Sequence, residues 1–132
     1  MIIGIDFDGT CVRDNWPYVG ESMPNCVDTL RHFVDCGHKL ILWSCREYTE
    51  YQGVNLLRQA LNWFRHNKID LYAVNENPDL RPLGYPVSRK CHVDLLIDDH
   101  SIFIPKKANG DLDWIAIRNE VDRLTGGNDK CH

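Results

Sequence analysis

Short apolar runs and amphipathic stretches alternate along this chain. Residues 1–7 form an isoleucine-rich run that stops at Asp8-Gly9, the pattern of a buried strand closed by a turn. Residues 10–22 hold Trp16, Pro17 and Gly20 without periodicity and predict an irregular flap. Pro24 suits a helix's first turn, Val27, Leu30 and Val34 recur at helical spacing, and Gly37 is placed to end that helix. Residues 39–44 carry Leu40-Ile41-Leu42-Trp43, a second strand. Thr49-x-x-Gln52 predicts a capping box opening a helix with the face Val54, Leu57, Leu61 and Phe64, fraying near Asn67.

Residues 71–74 predict a third strand, and residues 75–92, with Pro78, Pro82 and Pro86, a long loop of the kind that is usually functional or mobile. Residues 93–97 predict a fourth strand, followed at once by Asp98-Asp99. Asp111 is placed to cap a last helix with the face Trp114, Ile117, Val121 and Leu124, and residues 126–132 predict a frayed tail. Strands alternating with helices indicate a mostly parallel sheet covered on both faces, a three-layer α/β/α sandwich. Ligands in such sheets collect outside the carboxyl ends of the strands. The sequence puts a polar cluster at three of those ends: Asp6-Phe7-Asp8-Gly9-Thr10, Ser44-Cys45-Arg46 and Asp98-Asp99.

Composition narrows the class. The chain has 132 residues, 43% hydrophobic and 26% charged, enough for one domain with its own core and unlike a disordered or fibrous sequence. No apolar run approaches the roughly 18 residues of a membrane helix, and no basic segment followed by a long apolar one opens the sequence, so a cytoplasmic location is expected. The net charge is −4, without the basic excess of a general nucleic-acid binder. Setting aside Asp6, Asp8, Asp98 and Asp99 leaves 15 acids against 15 bases, a balanced remaining surface. The six cysteines form no C-x-x-C pair, and Cys91-His92 with Cys131-His132 match no zinc-finger spacing. Free thiols are the expectation.

Four carboxylates gathered around one point repel and take up protons unless a cation sits among them. Oxygen donors without thiol or imidazole favour Mg²⁺, whose open positions suit phosphate. Ser44 supplies a hydroxyl for a phosphate oxygen and Lys90 a positive charge. One carboxylate is then a nucleophile toward phosphorus and a second a proton carrier for the leaving oxygen. This inventory points to phosphoryl transfer.

These residues resemble the haloacid dehalogenase-like phosphatases. Asp6-Phe7-Asp8-Gly9-Thr10 is similar to their first motif, Leu40 to Ser44 to the second, Lys90 to the third, and residues 93–99 to the fourth in its adjacent-aspartate form. The motifs occur in the required order, and the resemblance spans residues 1–125. It implies Asp6 as nucleophile and Mg²⁺ ligand, and Asp8 as general acid/base with its backbone carbonyl on the metal. It implies Ser44 and Lys90 as phosphate holders, Asp98 as a metal ligand, and Asp99 as acting through water or orienting its neighbours, with Arg89 the rival of Lys90. Gly9, Thr10 and Arg46 are secondary candidates, Arg46 as a substrate contact. Both gaps where family members insert a cap are too short, which implies a capless HAD-like domain over 1–125.

An open site suits a bulky substrate or is covered by a neighbouring subunit in a homo-oligomer. Trp16, Tyr18, Arg81 and Arg89 are candidates for substrate contact. A nucleic-acid phosphate end, a phosphoprotein, a nucleotide and a sugar phosphate are all compatible; a membrane partner is not expected. The alternative function is a slow or inactive Mg²⁺- and phosphate-binding protein serving as a regulator. A receiver-like signalling module would need an aspartate after the third strand, where Asn75 stands, and no G-x-x-x-x-G-K-[ST] loop occurs.

Overall fold

The computed structural model describes residues 1–84 and 90–126. The elements are β1 (Ile2–Ile5), α1 (Cys26–Asp35), β2 (Lys39–Leu42), β3 (Glu50–Tyr51), β4 (Val54–Asn55), α2 (Leu56–His66), β5 (Ala73–Val74), a 3-10 helix (Pro78–Leu83), β6 (Leu95–Ile97) and α3 (Trp114–Leu124). Strands β5, β2, β1 and β6 lie side by side in that order, all parallel. The chain is therefore α/β, a four-stranded parallel sheet flanked by helices as a Rossmann-like sandwich, with no cap domain among the described residues.

Alternation along the strands sets the core. The register pairs Ile3 with Leu40 and Ile5 with Leu42, so these four side chains share a face. On it they join Leu30 and Phe33 of α1, Leu57, Ala60 and Phe64 of α2, and Trp114, Ile117 and Val121 of α3 in one buried cluster. The other face carries the row Ile41, Gly4 and Leu96. A Cβ on Gly4 would lie 3.1 Å from both Leu96 and Val93 side chains, so the bare glycine lets them pack down. The return from β5 to β6 crosses this face, where Leu80 of the 3-10 helix, Trp43, Cys91, Val93 and Leu96 wall a cavity of about 650 Å³.

Helix ends follow local chemistry. After α1, His38 N–H donates to Phe33 O (3.0 Å) and Gly37 N–H to Val34 O (2.9 Å), with Gly37 at φ 86, the Schellman arrangement the glycine announced. The buried face of α1 is Cys26, Thr29, Leu30 and Phe33, rotated from the expected Val27 and Val34. No capping box forms at Thr49. Gln52 and Gly53 both adopt positive φ and turn a two-strand hairpin, β3 against β4, as a type I′ turn requires. The helix waits for Asn55, whose side chain accepts from Arg58 N–H. Likewise α3 is capped by Asp113, which accepts from Ala116 N–H, because Asp111 is held by Arg13 at 2.7 Å.

Cys11, Cys26, Cys45 and Cys91 are free thiols. Cys36 is disulfide-bonded, a departure from the all-thiol expectation. Cys131, His132 and the expected frayed tail beyond Gly126 lie outside the described residues, as does Pro86. No helix among the described residues is long and apolar enough to cross a membrane.

Phe33 is fully buried where α1 meets the sheet. Phe33→Ala should lower unfolding free energy by about 3–5 kcal/mol, read as an earlier urea midpoint with unchanged slope.

Candidate active site

The first polar cluster is built by extending β1. Asp6 N–H donates to Ile97 O at 3.0 Å, continuing the β1–β6 ladder by one residue and bringing Asp6 to the edge from which Asp98 and Asp99 emerge. The chain then turns: Thr10 and Cys11 N–H both donate to Phe7 O, at 3.1 and 2.9 Å. Gly9 sits at φ 83, and a Cβ there would lie 2.6 Å from Asp99 Oδ2. Only glycine permits both the turn and the approach of that carboxylate.

Thr10 joins the two strand ends. Its buried hydroxyl shares one proton between Asp6 Oδ2 (2.8 Å) and Asp99 Oδ1 (3.1 Å), and accepts from Asp99 N–H at 3.0 Å. From the helical layer, Trp114 Nε1–H donates to Thr10 O at 3.0 Å. Asp6 is pushed up from 3.8 to about 7. Burial is the main cause, and the charges of Asp98 and Asp99 add to it against the pull of the Thr10 hydroxyl. Asp98, Asp99 and His100 offer ligand atoms within 4.8 Å of one another, and His100 N–H donates to Asp98 Oδ1 at 2.9 Å. His100 itself is exposed, its Nδ1 3.6 Å from Asp98 and 3.4 Å from Asp99. Crowded carboxylate oxygens in which Asp6 resists ionisation are a donor set that fits a hard divalent cation such as Mg²⁺.

Asp8 stands apart from this group. Both its oxygens are taken by Arg46, with Nε to Oδ2 at 2.8 Å and Nη2 to Oδ1 at 2.7 Å. The guanidinium also donates to Pro17 O (3.0 Å), Leu56 O (2.9 Å) and Tyr18 O (3.2 Å), which uses all five N–H donors an arginine has. It lies over the Phe7 ring at 5.4 Å and is 1% exposed. The expected substrate contact is thus corrected: Arg46 has no donor to offer and ties Asp8 to the flap and to the start of α2.

Ser44 follows β2, its N–H donating to Asn75 Oδ1 at 2.8 Å and its Oγ accepting from Arg46 N–H at 3.1 Å. Asn75 shapes this strand end from a left-handed backbone at φ 55, a role the sequence reading missed; a residue able to hold that conformation just after a strand was the available signal. Lys90 lies on the wall of the cavity of the second sheet face, beside Trp43 and Cys91. Arg81 pairs with Glu76, and Arg89 is outside the described residues. Trp16 and Tyr18 are half exposed on the flap.

The chain is similar to a conserved protein from Bacteroides thetaiotaomicron whose structure has been solved. The two are 35% identical, the match covers 94% of this chain and 91% of the other, and the TM-score is 0.74. No protein-family model matches the chain, and no curated protein does either.

Arg46→Met would leave Asp8 and three carbonyls without their donor. A loss of about 3–5 kcal/mol is expected, with faster hydrogen exchange at the flap amides. Asp6 has its own signature in the metal-free protein. Its carboxyl binds a proton more tightly folded than unfolded, so its contribution favours the fold at low pH and is lost as pH rises from about 4 through 7. In EDTA, Asp6→Asn should therefore flatten the fall in melting temperature across that window; an unchanged pH profile would contradict the assignment.

Proposed function

For this chain, which belongs to the same family as the conserved protein from Bacteroides thetaiotaomicron, we propose a Mg²⁺-dependent phosphatase or phosphotransferase acting on phosphate monoesters. The observation that carries the reading is Asp6, resisting ionisation beside Asp98 and Asp99 and linked to Asp99 through the Thr10 hydroxyl, at the carboxyl edge of a parallel sheet. The resemblance to haloacid dehalogenase-like phosphatases assigns the roles. Asp6, the backbone carbonyl of Asp8 and Asp98 would hold Mg²⁺, with Asp99 behind them. When bound, the ion supplies positive charge for the phosphate oxygens.

A carboxylate oxygen of Asp6 attacks phosphorus as the bond to the leaving oxygen breaks, giving an aspartyl-phosphate. Asp8 turns its carboxyl out of the Arg46 fork, takes up a proton from water and passes it to the leaving oxygen. Water then attacks the aspartyl-phosphate, Asp8 takes back a proton, and phosphate leaves Asp6 free. Ser44 and Lys90 hold the transferring group. The same Arg46 fork favours a second reading, a Mg²⁺- and phosphate-binding regulator without turnover, since it occupies both Asp8 oxygens. A cytoplasmic setting belongs to the proposal: four cysteines are free thiols, and the Cys36 disulfide is the observation that weighs against it.

The test is p-nitrophenyl phosphate hydrolysis with Mg²⁺, with EDTA and with Asp6→Asn. Mg²⁺-dependent release should fall by at least about a thousandfold in both controls; full activity in Asp6→Asn would sink the covalent mechanism. Asp8→Asn should still form phosphoenzyme from aryl esters and fail on alkyl esters. Equal loss on both would remove its acid role. A Mg²⁺-induced rise in melting temperature, abolished by Asp98→Asn, without any turnover would select the regulator.

A further inference from the structure

Six large apolar side chains stand exposed on three of the four segments that leave the carboxyl edge of the sheet. Trp16 and Tyr18 are on the flap after β1, Tyr48 and Tyr51 on the hairpin segment after β2, and Ile102 and Phe103 just beyond Asp98-Asp99. They share these segments with Asp8, Arg46 and Asp98-Asp99. Scattered exposed hydrophobics need no explanation, but a rim of them around a polar centre marks a binding surface.

The loops are held in place from below. The Arg46 guanidinium that grips Asp8 also binds Pro17 O and Tyr18 O of the flap and Leu56 O at the foot of the hairpin. The two loops meet at their tips, where the Trp16 and Tyr51 rings lie 5.0 Å apart at 35°. Both rings remain about half exposed. After β6, Ser101 N–H donates to Asp98 O at 3.0 Å, and the turn it makes carries Phe103 outward, 98% exposed. Phe103 has φ 64, a conformation a bulky residue rarely adopts and one that clusters at ligand sites.

We propose that this rim seats a planar ring in the substrate, so that the site described above acts on phosphate monoesters whose leaving group is aryl or nucleoside. The inference rests on the phosphatase reading. Five of the six side chains are aromatic rather than aliphatic, and flat faces at low entropic cost are what a ring stacks on. The acidic centre and the net charge of −4 oppose a polyphosphate chain, which points to one phosphate and one ring.

The experiment measures binding by calorimetry in the Asp6→Asn protein with Mg²⁺, using phenyl phosphate, adenosine monophosphate, glycerol phosphate and adenosine. The two ring esters should bind at least tenfold tighter than glycerol phosphate, and Trp16→Ala and Phe103→Ala should each remove most of that advantage. Whichever ring ester binds tighter distinguishes aryl from nucleoside. Equal affinities for the three esters, or a ring preference that survives both substitutions, would overturn the inference. Adenosine binding as tightly as its monophosphate, with both weakened by Trp16→Ala, would uphold the rim and defeat the phosphatase reading instead. A concentration-dependent dimer abolished by Phe103→Ala would put a second copy on the rim and overturn it.

Discussion

A guanidinium removed from water must find an acceptor for every N–H it carries, and the site end of this molecule is arranged around meeting that demand at Arg46. Two donors go to Asp8 and three to backbone carbonyls of residues 17, 18 and 56. Two of those carbonyls lie in the flap, outside any strand or helix, and the third opens α2, so one charged group ties the flap to the head of that helix. The pairing also keeps Asp8 away from the other acids. Without it four carboxylates, rather than three, would crowd one edge.

The remaining acids are brought together by sheet geometry. Parallel strands end on the same side, and the β1–β6 register continues to Asp6 N–H, so Asp6 meets Asp98 and Asp99 without any dedicated loop. Thr10 then fixes the spacing through one hydroxyl proton. Burial first, and the neighbouring acids after it, push the Asp6 carboxyl up to about 7. A cation bound among these oxygens would counter that shift, which is the electrostatic reason to expect one.

Much of this was legible in the sequence. Buried strands announce themselves by apolar runs, and the polar residues that end them mark the edge where ligands gather; Asp6, Ser44 and Asp98 were found that way. Helical spacing found Leu57 and Phe64 on the core face of α2 and Trp114, Ile117 and Val121 on that of α3, but it also counted Leu124, which is exposed, and Val54, which lies on β4; Gly37 marked the end of α1. What escaped were features decided by partners far off in the chain. Arg46 reads as an exposed substrate contact because its acceptors are mostly backbone carbonyls, which leave no trace in residue identity. The hairpin over residues 50–55 lost to a capping-box reading because Thr49 and Gln52 fit both patterns, and only the positive φ shared by Gln52 and Gly53 separates them. Asp111 and Asp113 are equivalent as caps until Arg13 claims one of them.

The position of β6 has a consequence for how the protein comes into being. It pairs with β1, Leu95 against Ile3, so this edge of the sheet closes across most of the chain length. Such long-range closure follows local pairing during folding, because its entropy must be met before its contacts form. The strands β1 and β2 with α1 between them are local by comparison. Asp98 and Asp99 therefore reach Asp6 only at that late closure, and a growing chain carries its acids dispersed along its length. The repulsion among Asp6, Asp98 and Asp99 does not exist until about three-quarters of these 132 residues have been made, so it never burdens the earlier steps of assembly.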